Sequence, residues 1–325
     1  MPELPEVTTT VNGLNEVLPK LVIKDVWSDY FLRTKNKRKD TIKNKKYFEY
    51  FRKEIIGEKV KEVERRGKNI LIHLTGDRST SLTASKTILI HMKMTGHFLY
   101  GKYKKVSPRR DLGHSKGLAS GEIWKPIEKG PLQNSFNKFI HLVFTLSNTQ
   151  CLAFSDMRKF AKVMLFETHK RADLIDLSGL GPEPLNNLSL ETLRTQLLLK
   201  PKGKIKTVLM DQSVLAGIGN IYSDEILWTS DVHPERTPAS LSEKEIKDIW
   251  KSIKVILESS IKMGGDSMSD YRNIYGEKGG FQNAHKVYRR TKEKCLKRNC
   301  GGTIQRKVIG GRKCHFCDRH QKYKK

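Results

Sequence analysis

The chain has 325 residues, with 62 Lys and Arg against 35 Asp and Glu, a formal net charge of +27, and five cysteines. A basic surplus of this size selects a polyanion as partner, because each phosphate neutralised releases a condensed counterion. No apolar run approaches the roughly 18 residues of a membrane span, no secretory leader precedes the first periodic helix, and five unevenly spaced cysteines exclude a disulfide framework. The expectation is a soluble, intracellular protein, monomeric and without membrane association.

The chain opens Met1-Pro2-Glu3-Leu4-Pro5-Glu6-Val7. Removal of Met1 would leave Pro2 as a secondary amine able to attack an aldehyde carbon and form an iminium, with the Glu3 carboxylate beside it. Val7, Val11, Leu14 and Leu18 recur at helical spacing, with Pro5 near the first turn. The positive end of that helix would favour the neutral, reactive amine over the ammonium.

Residues 1–56 are predicted to carry a helix at each end, and the rest of the first half is written in strands. Leu21 to Trp27, Asn69 to Leu74, Thr87 to Met94, Phe139 to Leu146, Gln150 to Phe154 and Lys162 to Phe166 are short, apolar and bounded by Gly, Ser, Asn or Asp. Such a run of strands predicts a β-sandwich. Cys151 falls within one of them and reads as a buried, inert thiol. The stretch from Lys102 to Ser135 is rich in Gly, Pro, Ser and Lys and reads as a long, basic, mobile loop, an insertion in a compact domain.

Gly179, Gly181, Pro182 and Pro184 mark a linker within Leu177 to Pro184, after which the period changes to that of helices. Shorter helices are predicted at Leu190 to Leu199, Lys204 to Asp211 and Asn220 to Trp228. Ser242 and Glu245 form a capping box for a long helix through Ile261, ended by Gly264-Gly265. The predicted organisation is a β-sandwich domain over 1–168, a linker over 169–185, a helical domain over 186–288 and a cysteine-rich finger over 289–325.

Several segments carry chemistry. Gly217-Ile-Gly219-Asn220 joins two helices, where glycines admit a close ligand and a helix start offers amides to a phosphate, with Asn220 and the lysines Lys202, Lys204 and Lys206 nearby. Cys295-x4-Cys300 and the segment Cys314-His315-Phe316-Cys317-Asp318-Arg319-His320 flank a β-favouring stretch. This is the pattern of a zinc ribbon with one structural Zn2+, the last pair being Cys314 with Cys317 or Cys317 with His320. Met94, before a glycine, and Arg158 with Phe160, at a turn after a strand, are wedges that can fill the space of a displaced nucleotide.

Pro-Glu-Leu-Pro-Glu-Val at the start, Arg65-Arg66-Gly67-Lys68-Asn69, Leu180-Gly-Pro-Glu-Pro-Leu185, Gly217 to Tyr222, Val232-His-Pro-Glu-Arg236 and the terminal cysteine hairpin resemble, in order and over nearly the whole chain, the formamidopyrimidine-DNA glycosylase and endonuclease VIII family. The resemblance implies an N-terminal β-sandwich, a helix-two-turn-helix domain and a zinc finger, holding double-stranded DNA with an oxidised base or abasic site. It implies base removal followed by strand cutting through β- and δ-elimination. By position it makes Pro2 the nucleophile and Glu3 the acid that assists ring opening. Lys68 becomes the lysine near the phosphate and base, Asn220 and Arg312 the phosphate grips, and Met94, Arg158 and Phe160 the void fillers.

Aligning Gly-Gly-Arg312 with the family's finger favours Cys295, Cys300, Cys317 and His320 as metal ligands, with Cys314 in place of His320 as the alternative. Leu4 and the Met94, Arg158, Phe160 set resemble the branch acting on oxidised purines, 8-oxoguanine and formamidopyrimidines. The endonuclease VIII branch, acting on oxidised pyrimidines, is the runner-up, and a damage-binding protein without catalysis is the third reading. Gly264 to Phe281 is the expected place of a lesion-recognising loop.

Overall fold

The computed structural model describes residues 1–32, 39–75, 85–107, 123–186, 188–268 and 270–323. Helix α1 (Leu4–Val17) is followed by β1 (Ile23–Ser28), α2 (Lys45–Ile55), β2 (Lys59–Arg66), β3 (Asn69–Thr75), β4 (Lys86–His91), β5 (His97–Gly101), β6 (Tyr103–Val106), β7 (Ile123–Pro126), β8 (Ile140–Leu146), β9 (Cys151–Ser155) and β10 (Lys162–Glu167). Two four-stranded antiparallel sheets, ordered β1-β8-β9-β5 and β10-β4-β3-β2, form the expected sandwich. Alternate side chains such as Ile70, Ile72, Ile88, Ile90, Phe144 and Phe154 fill the space between the sheets. Val7, Val11 and Leu14 of α1 and Phe48, Phe51 and Ile55 of α2 close its sides.

Four strands were not legible in the sequence. β2, on the edge of its sheet, is rich in charge, and a register shift between Val60 and Glu62 breaks its alternation. β5 is only five residues long. The predicted loop from Lys102 to Ser135 instead begins and continues as a hairpin of β6 and β7, in which Trp124 packs 6.0 Å from Trp27. Residues 108–122 of that insertion, and 33–38 of the first basic run, lie outside the described residues.

The second half contains α3 (Ile175–Ser178), α4 (Leu190–Leu198), α5 (Ile205–Met210), α6 (Asn220–Thr229) and α7 (Glu243–Lys262), then the hairpin of β11 (Ile304–Ile309) and β12 (Arg312–Cys317). The capping box is present: Glu245 N donates to Ser242 Oγ and Ser242 N to Glu245 Oε2, at 3.3 and 2.8 Å. Gly264 and Gly265, at φ +74° and +83°, end α7. The linker is held by Glu183, whose carboxylate accepts from Gly67 N at 2.6 Å and pairs with Arg65 at 2.5 Å and Arg66 at 3.1 Å. The turn between β2 and β3 is thereby tied to the entrance of the helical region.

The finger is fastened to α6 through a fully buried ion pair. Lys206 Nζ lies 2.6 Å from Asp224 Oδ1 and also donates to Ser223 Oγ and the Asn220 carbonyl. The other oxygen of Asp224 accepts from His315 N at 2.9 Å, and Cys314 Sγ lies 3.1 Å from the first. Lys206, read from sequence as a phosphate contact, is therefore enclosed and engaged. Removing Asp224 strands a buried ammonium, a change that costs about 3–5 kcal/mol. Asp224→Ala should lose that much in urea denaturation, and the double change Lys206→Met with Asp224→Leu should recover most of it; equal destabilisation by both would show that the charge pairing is not what matters.

Candidate catalytic centre and nucleic-acid interface

The N-terminal end of α1 sits in a cradle made by the loop between α5 and α6. Leu4 N donates to the Gly217 carbonyl at 3.0 Å, and Glu3 Oε1 accepts from Ile221 N at 3.1 Å. A Cβ on Gly217, which has φ +94°, would fall 2.7 Å from that of Leu4; one on Gly219 would fall 2.4 Å from Glu3 Cδ. The two glycines do permit a close approach, as their spacing suggested. The group that approaches in the structure is the chain's own N-terminal segment rather than a phosphate. Glu3 is 2% exposed, and its Oε2 has no hydrogen-bond partner. A buried carboxylate oxygen left free beside Pro2 is suited to proton transfer with a bound reactant.

Lys68 follows Gly67 out of the β2–β3 turn and reaches the same place, donating from Nζ to the Ile218 carbonyl at 2.9 Å. Burial lowers its pKa, against the pull of the Glu3 and Glu6 carboxylates, and Arg312 of the finger adds to the lowering. Arg312 thus acts across the cleft on Lys68. The turn of the finger is pinned by Gly310, whose Cβ would meet Thr207 Cγ2 of α5 at 2.4 Å, and by Asn220 Nδ2, which donates to the Lys313 carbonyl at 3.0 Å. Asn220 and Arg312 therefore share one patch. Lys202 lies exposed in the turn before α5.

The wedge residues also come together. Met94 and Phe160 are 42% and 47% exposed, Arg158 Nη1 is 3.0 Å from Met94 Sδ, and the guanidinium lies 4.4 Å from the centre of the Phe160 ring. Sequence reasoning did not identify what holds them. Buried Asp156 accepts from Thr95 Oγ1 at 2.5 Å, Tyr30 Oη at 2.9 Å and Ala161 N at 2.9 Å, joining the turn after β4 to the turn after β9. An apolar and cationic surface is presented by a rigid, enclosed carboxylate.

Glu6 was likewise missed, although it lies in the opening motif. Its Oε2 accepts from Glu3 N at 2.8 Å and its Oε1 from Asp266 N at 2.7 Å, and Tyr222 Oη bonds to the same Oε1. Burial raises its pKa to about 7, outweighing the hydrogen bonds from Tyr222 and Asp266 that favour the charge.

In the finger, the ligating atoms of Cys295, Cys300, Cys317 and His320 lie within 4.8 Å of one another. Backbone amides face two of the sulfurs, Lys297 N to Cys295 and Arg319 N to Cys317, at 3.5 and 3.4 Å. A Cβ on Gly302 would come within 2.6 Å of Cys317 Sγ, so the backbone wraps the cluster closely. His320 turns Nε2 toward the Trp228 carbonyl and Nδ1 toward the sulfurs of Cys295 and Cys300. Three thiols and an imidazole directed inward, with an outer hydrogen bond fixing the ring, fit a tetrahedral metal ion. Cys314 points away, to Asp224.

Glu6 generates a pH dependence with a definite sign. A carboxyl whose pKa is raised on folding, from 4.5 to about 7, contributes stability below the lower value that is lost as pH rises through the higher. Between pH 4.5 and pH 8 the stability difference between Glu6→Gln and the wild type should move in the variant's favour by about 3 kcal/mol. Urea denaturation at the two pH values reads this directly, and a constant difference would mean that folding leaves the Glu6 pKa unshifted.

Comparison with known proteins agrees with this arrangement. Residues 1–163 match the formamidopyrimidine-DNA glycosylase N-terminal domain, and residues 180–272 match the formamidopyrimidine-DNA glycosylase H2TH domain. The formamidopyrimidine-DNA glycosylase of Bacillus subtilis is 33% identical over 321 residues, covering 99% of each chain. That of Desulforamulus reducens is 33% identical over 326 residues, with both chains covered completely. Among solved structures, the Lactococcus lactis Fpg bound to DNA containing an abasic site superposes with a TM-score of 0.76 at 28% identity, covering 99% of this chain and 100% of that one. Shared sequence over both halves, shared fold and the seating of Glu3 on the two-glycine loop together place this chain in the formamidopyrimidine-DNA glycosylase family.

Proposed function

We propose that this protein excises oxidised purines from double-stranded DNA and cuts the strand at the resulting abasic site, with Pro2 as the nucleophile once Met1 is removed. The observation that carries this reading is the Glu3 carboxylate, buried beside Pro2 at the start of α1 with one oxygen free. A MutM structure holds DNA containing carbocyclic 8-oxo-G, and a Lactococcus lactis Fpg mutant holds DNA containing Fapy-dG. These related proteins support the purine reading. Met1 is exposed, and Pro2 behind it is buried.

In this mechanism the Pro2 nitrogen lone pair attacks C1′ of the damaged nucleotide as the glycosidic bond breaks and the base leaves. Glu3 takes the proton that the attacking Pro2 nitrogen loses and passes it to the sugar ring oxygen as the ring opens, leaving an iminium between Pro2 and C1′, while the departing base takes a proton from solvent. The iminium withdraws electrons, a base takes the 2′ proton, and the 3′ phosphate departs; a second elimination releases the 5′ phosphate. Lys68, beside Glu3 with its pKa depressed, holds the phosphate near the reacting sugar and exchanges protons there. Unstacking the nucleotide costs a few kcal/mol, offset by Met94, Arg158 and Phe160 entering the vacated space. Asn220, Arg312 and Lys202 grip flanking phosphates. Such an enzyme works where the chromosome lies, in the cytoplasm and nucleoid.

The division into a catalytic region over 1–168, a linker over 169–185, a DNA-binding region over 186–288 and a finger over 289–325 belongs to the same reading. Cys295, Cys300, Cys317 and His320 would hold one Zn2+, whose contribution is structural: it replaces a core that so short a hairpin cannot build.

Borohydride added during incubation with duplex DNA containing 8-oxoguanine should trap a covalent adduct on Pro2, located by mass spectrometry, and Pro2→Thr should give none. Full incision without any adduct would overturn the covalent mechanism. Faster cutting of an oxidised pyrimidine than of 8-oxoguanine in parallel reactions would overturn the purine assignment. Elemental analysis should find about one zinc per chain in wild type and in Cys314→Ser, and little in Cys317→Ser; loss from Cys314→Ser would remove His320 from the ligand set.

A further inference from the structure

The segment from Gly264 to Phe281 leaves the helical region, crosses α1 and returns. Its ends are fixed backbone to backbone: Gly280 N donates to the Met263 carbonyl at 2.7 Å and Phe281 N to the Gly265 carbonyl at 3.1 Å. Its middle reaches the sandwich, where Ile274 is buried and its carbonyl accepts from Tyr100 N at 2.6 Å. Residue 269 lies outside the described residues.

Between these ends the segment is tied to the first turn of α1 through two side chains, Glu6 of the helix and Tyr271 of the segment. Glu6 Oε1 accepts the amide of Asp266, and Glu6 Oε2 accepts the amide of Glu3. Tyr222 of α6 bonds to Oε1 and passes the contact on to Ser260 of α7 at 2.6 Å. A Cβ on Gly265, at φ +83°, would lie 3.0 Å from Glu6 Oε1, so the left-handed glycine is what lets the segment's backbone approach. Tyr271 adds a second tie, donating from Oη to the Glu6 carbonyl at 3.0 Å. No other described side chain bonds to both the Glu3 amide and this segment among these contacts, and Glu6 is 1% exposed.

We infer that Glu6 is a positioning residue that makes the seating of the 264–281 segment and the placement of Glu3 one mechanical event. The inference rests on the glycosylase reading. A base everted toward the segment would shift its backbone at Asp266; the two carboxyl oxygens, fixed on one carbon, pass that shift to the Glu3 amide. Excision of a base needs both the segment and Glu3 in register. Incision at a site that has already lost its base needs Glu3 and Pro2 but offers the segment no base to hold.

The chemistry of the carboxyl makes this testable without a cavity. Glu6→Gln preserves volume, but an amide has one acceptor oxygen and cannot accept from both Asp266 N and Glu3 N. Excision of 8-oxoguanine under single-turnover conditions should fall about 10- to 100-fold in this variant. Incision of a preformed abasic site should fall several-fold less, and affinity for duplex containing a tetrahydrofuran abasic analogue should stay within about 3-fold of wild type. Tyr222→Phe, which removes only the hydroxyl on Oε1, should show the same order of effects at smaller size, and it decides the question if Glu6→Gln does not fold.

Unchanged excision would overturn the inference. So would an equal fall on the two substrates, which would confine Glu6 to Glu3 alone, or a parallel loss of DNA affinity, which would make its role general folding. Wild-type enzyme run alongside separates the two levels: if it excises no base, the glycosylase reading fails, whereas wild-type excision with an unaffected Glu6→Gln defeats only the coupling.

Discussion

Leu4 is the side chain on which the two halves of the molecule turn. It belongs to the helical core, among Ile205, Leu209, Leu215, Ile218, Tyr222 and Ile249, while Val7, Val11 and Leu14 of the same helix belong to the sandwich core. Helix α1 is thus a rivet, with one residue on one side and three on the other. Burying such side chains is worth about 1.5–3 kcal/mol each, so moving the N-terminal end of α1 away from the two-glycine loop uncovers apolar surface as well as breaking the Leu4 amide bond to Gly217. Precision at Pro2 and Glu3 comes from this shared packing. A free chain terminus, usually the most mobile part of a domain, is here held by the cores of both halves.

The acids of this very basic protein are placed with the same economy. Glu183 takes the amide of Gly67 and two arginines, Asp156 two hydroxyls and an amide, and Asp224 a lysine, an amide and an imidazole. Glu225 accepts from the amides of Lys286, Val287 and Tyr288 at 2.8 to 3.2 Å, fixing the strand of chain that leads to the finger. Each enclosed carboxylate is compensated by several donors, which is the condition for burying charge without large loss. The acids do internal architecture, and the positive surplus is left to the surface, where polyanion attraction acts.

This division explains what the sequence could and could not disclose. Six strands, the long capped helix and the cysteine hairpin are local patterns, and they stand where periodicity and capping put them. Pro2, Glu3, the trio Met94, Arg158 and Phe160, and the Cys295, Cys300, Cys317 and His320 cluster stand out in sequence because their chemistry is unusual for their position. Glu6, Asp156, Glu183 and Asp224 look like ordinary surface acids in sequence, because what makes them special is a partner far along the chain: Asp266 for Glu6, Tyr30 for Asp156, Gly67 for Glu183, His315 for Asp224. The glycines Gly217 and Gly219 were legible as a close approach, but a spacing rule does not state what approaches. β2 was hidden for a related reason, since its bulge erases the alternation by which a strand is read.

The finger's own stability and its placement are separable. The Cys295, Cys300, Cys317 and His320 cluster folds the hairpin upon itself, whereas Asp224 and the Asn220 bond to Lys313 set the angle at which it meets α6. Cys314 and Cys317, three residues apart on β12, face opposite tasks: one thiol turns to Asp224, the other to the metal cluster. A proton-bearing thiol suits the first position, since burial and the Asp224 charge both raise the Cys314 pKa. A metal needs the thiolate, and the two sulfurs are told apart by their neighbours, a carboxylate for Cys314 and the other three candidate ligands for Cys317. Arg312, at the start of the same strand, lies close enough to Lys68 for its charge to add to the lowering that burial imposes on the Lys68 pKa. Two cations held near one another in this way repel, a cost that an anion between them would relieve.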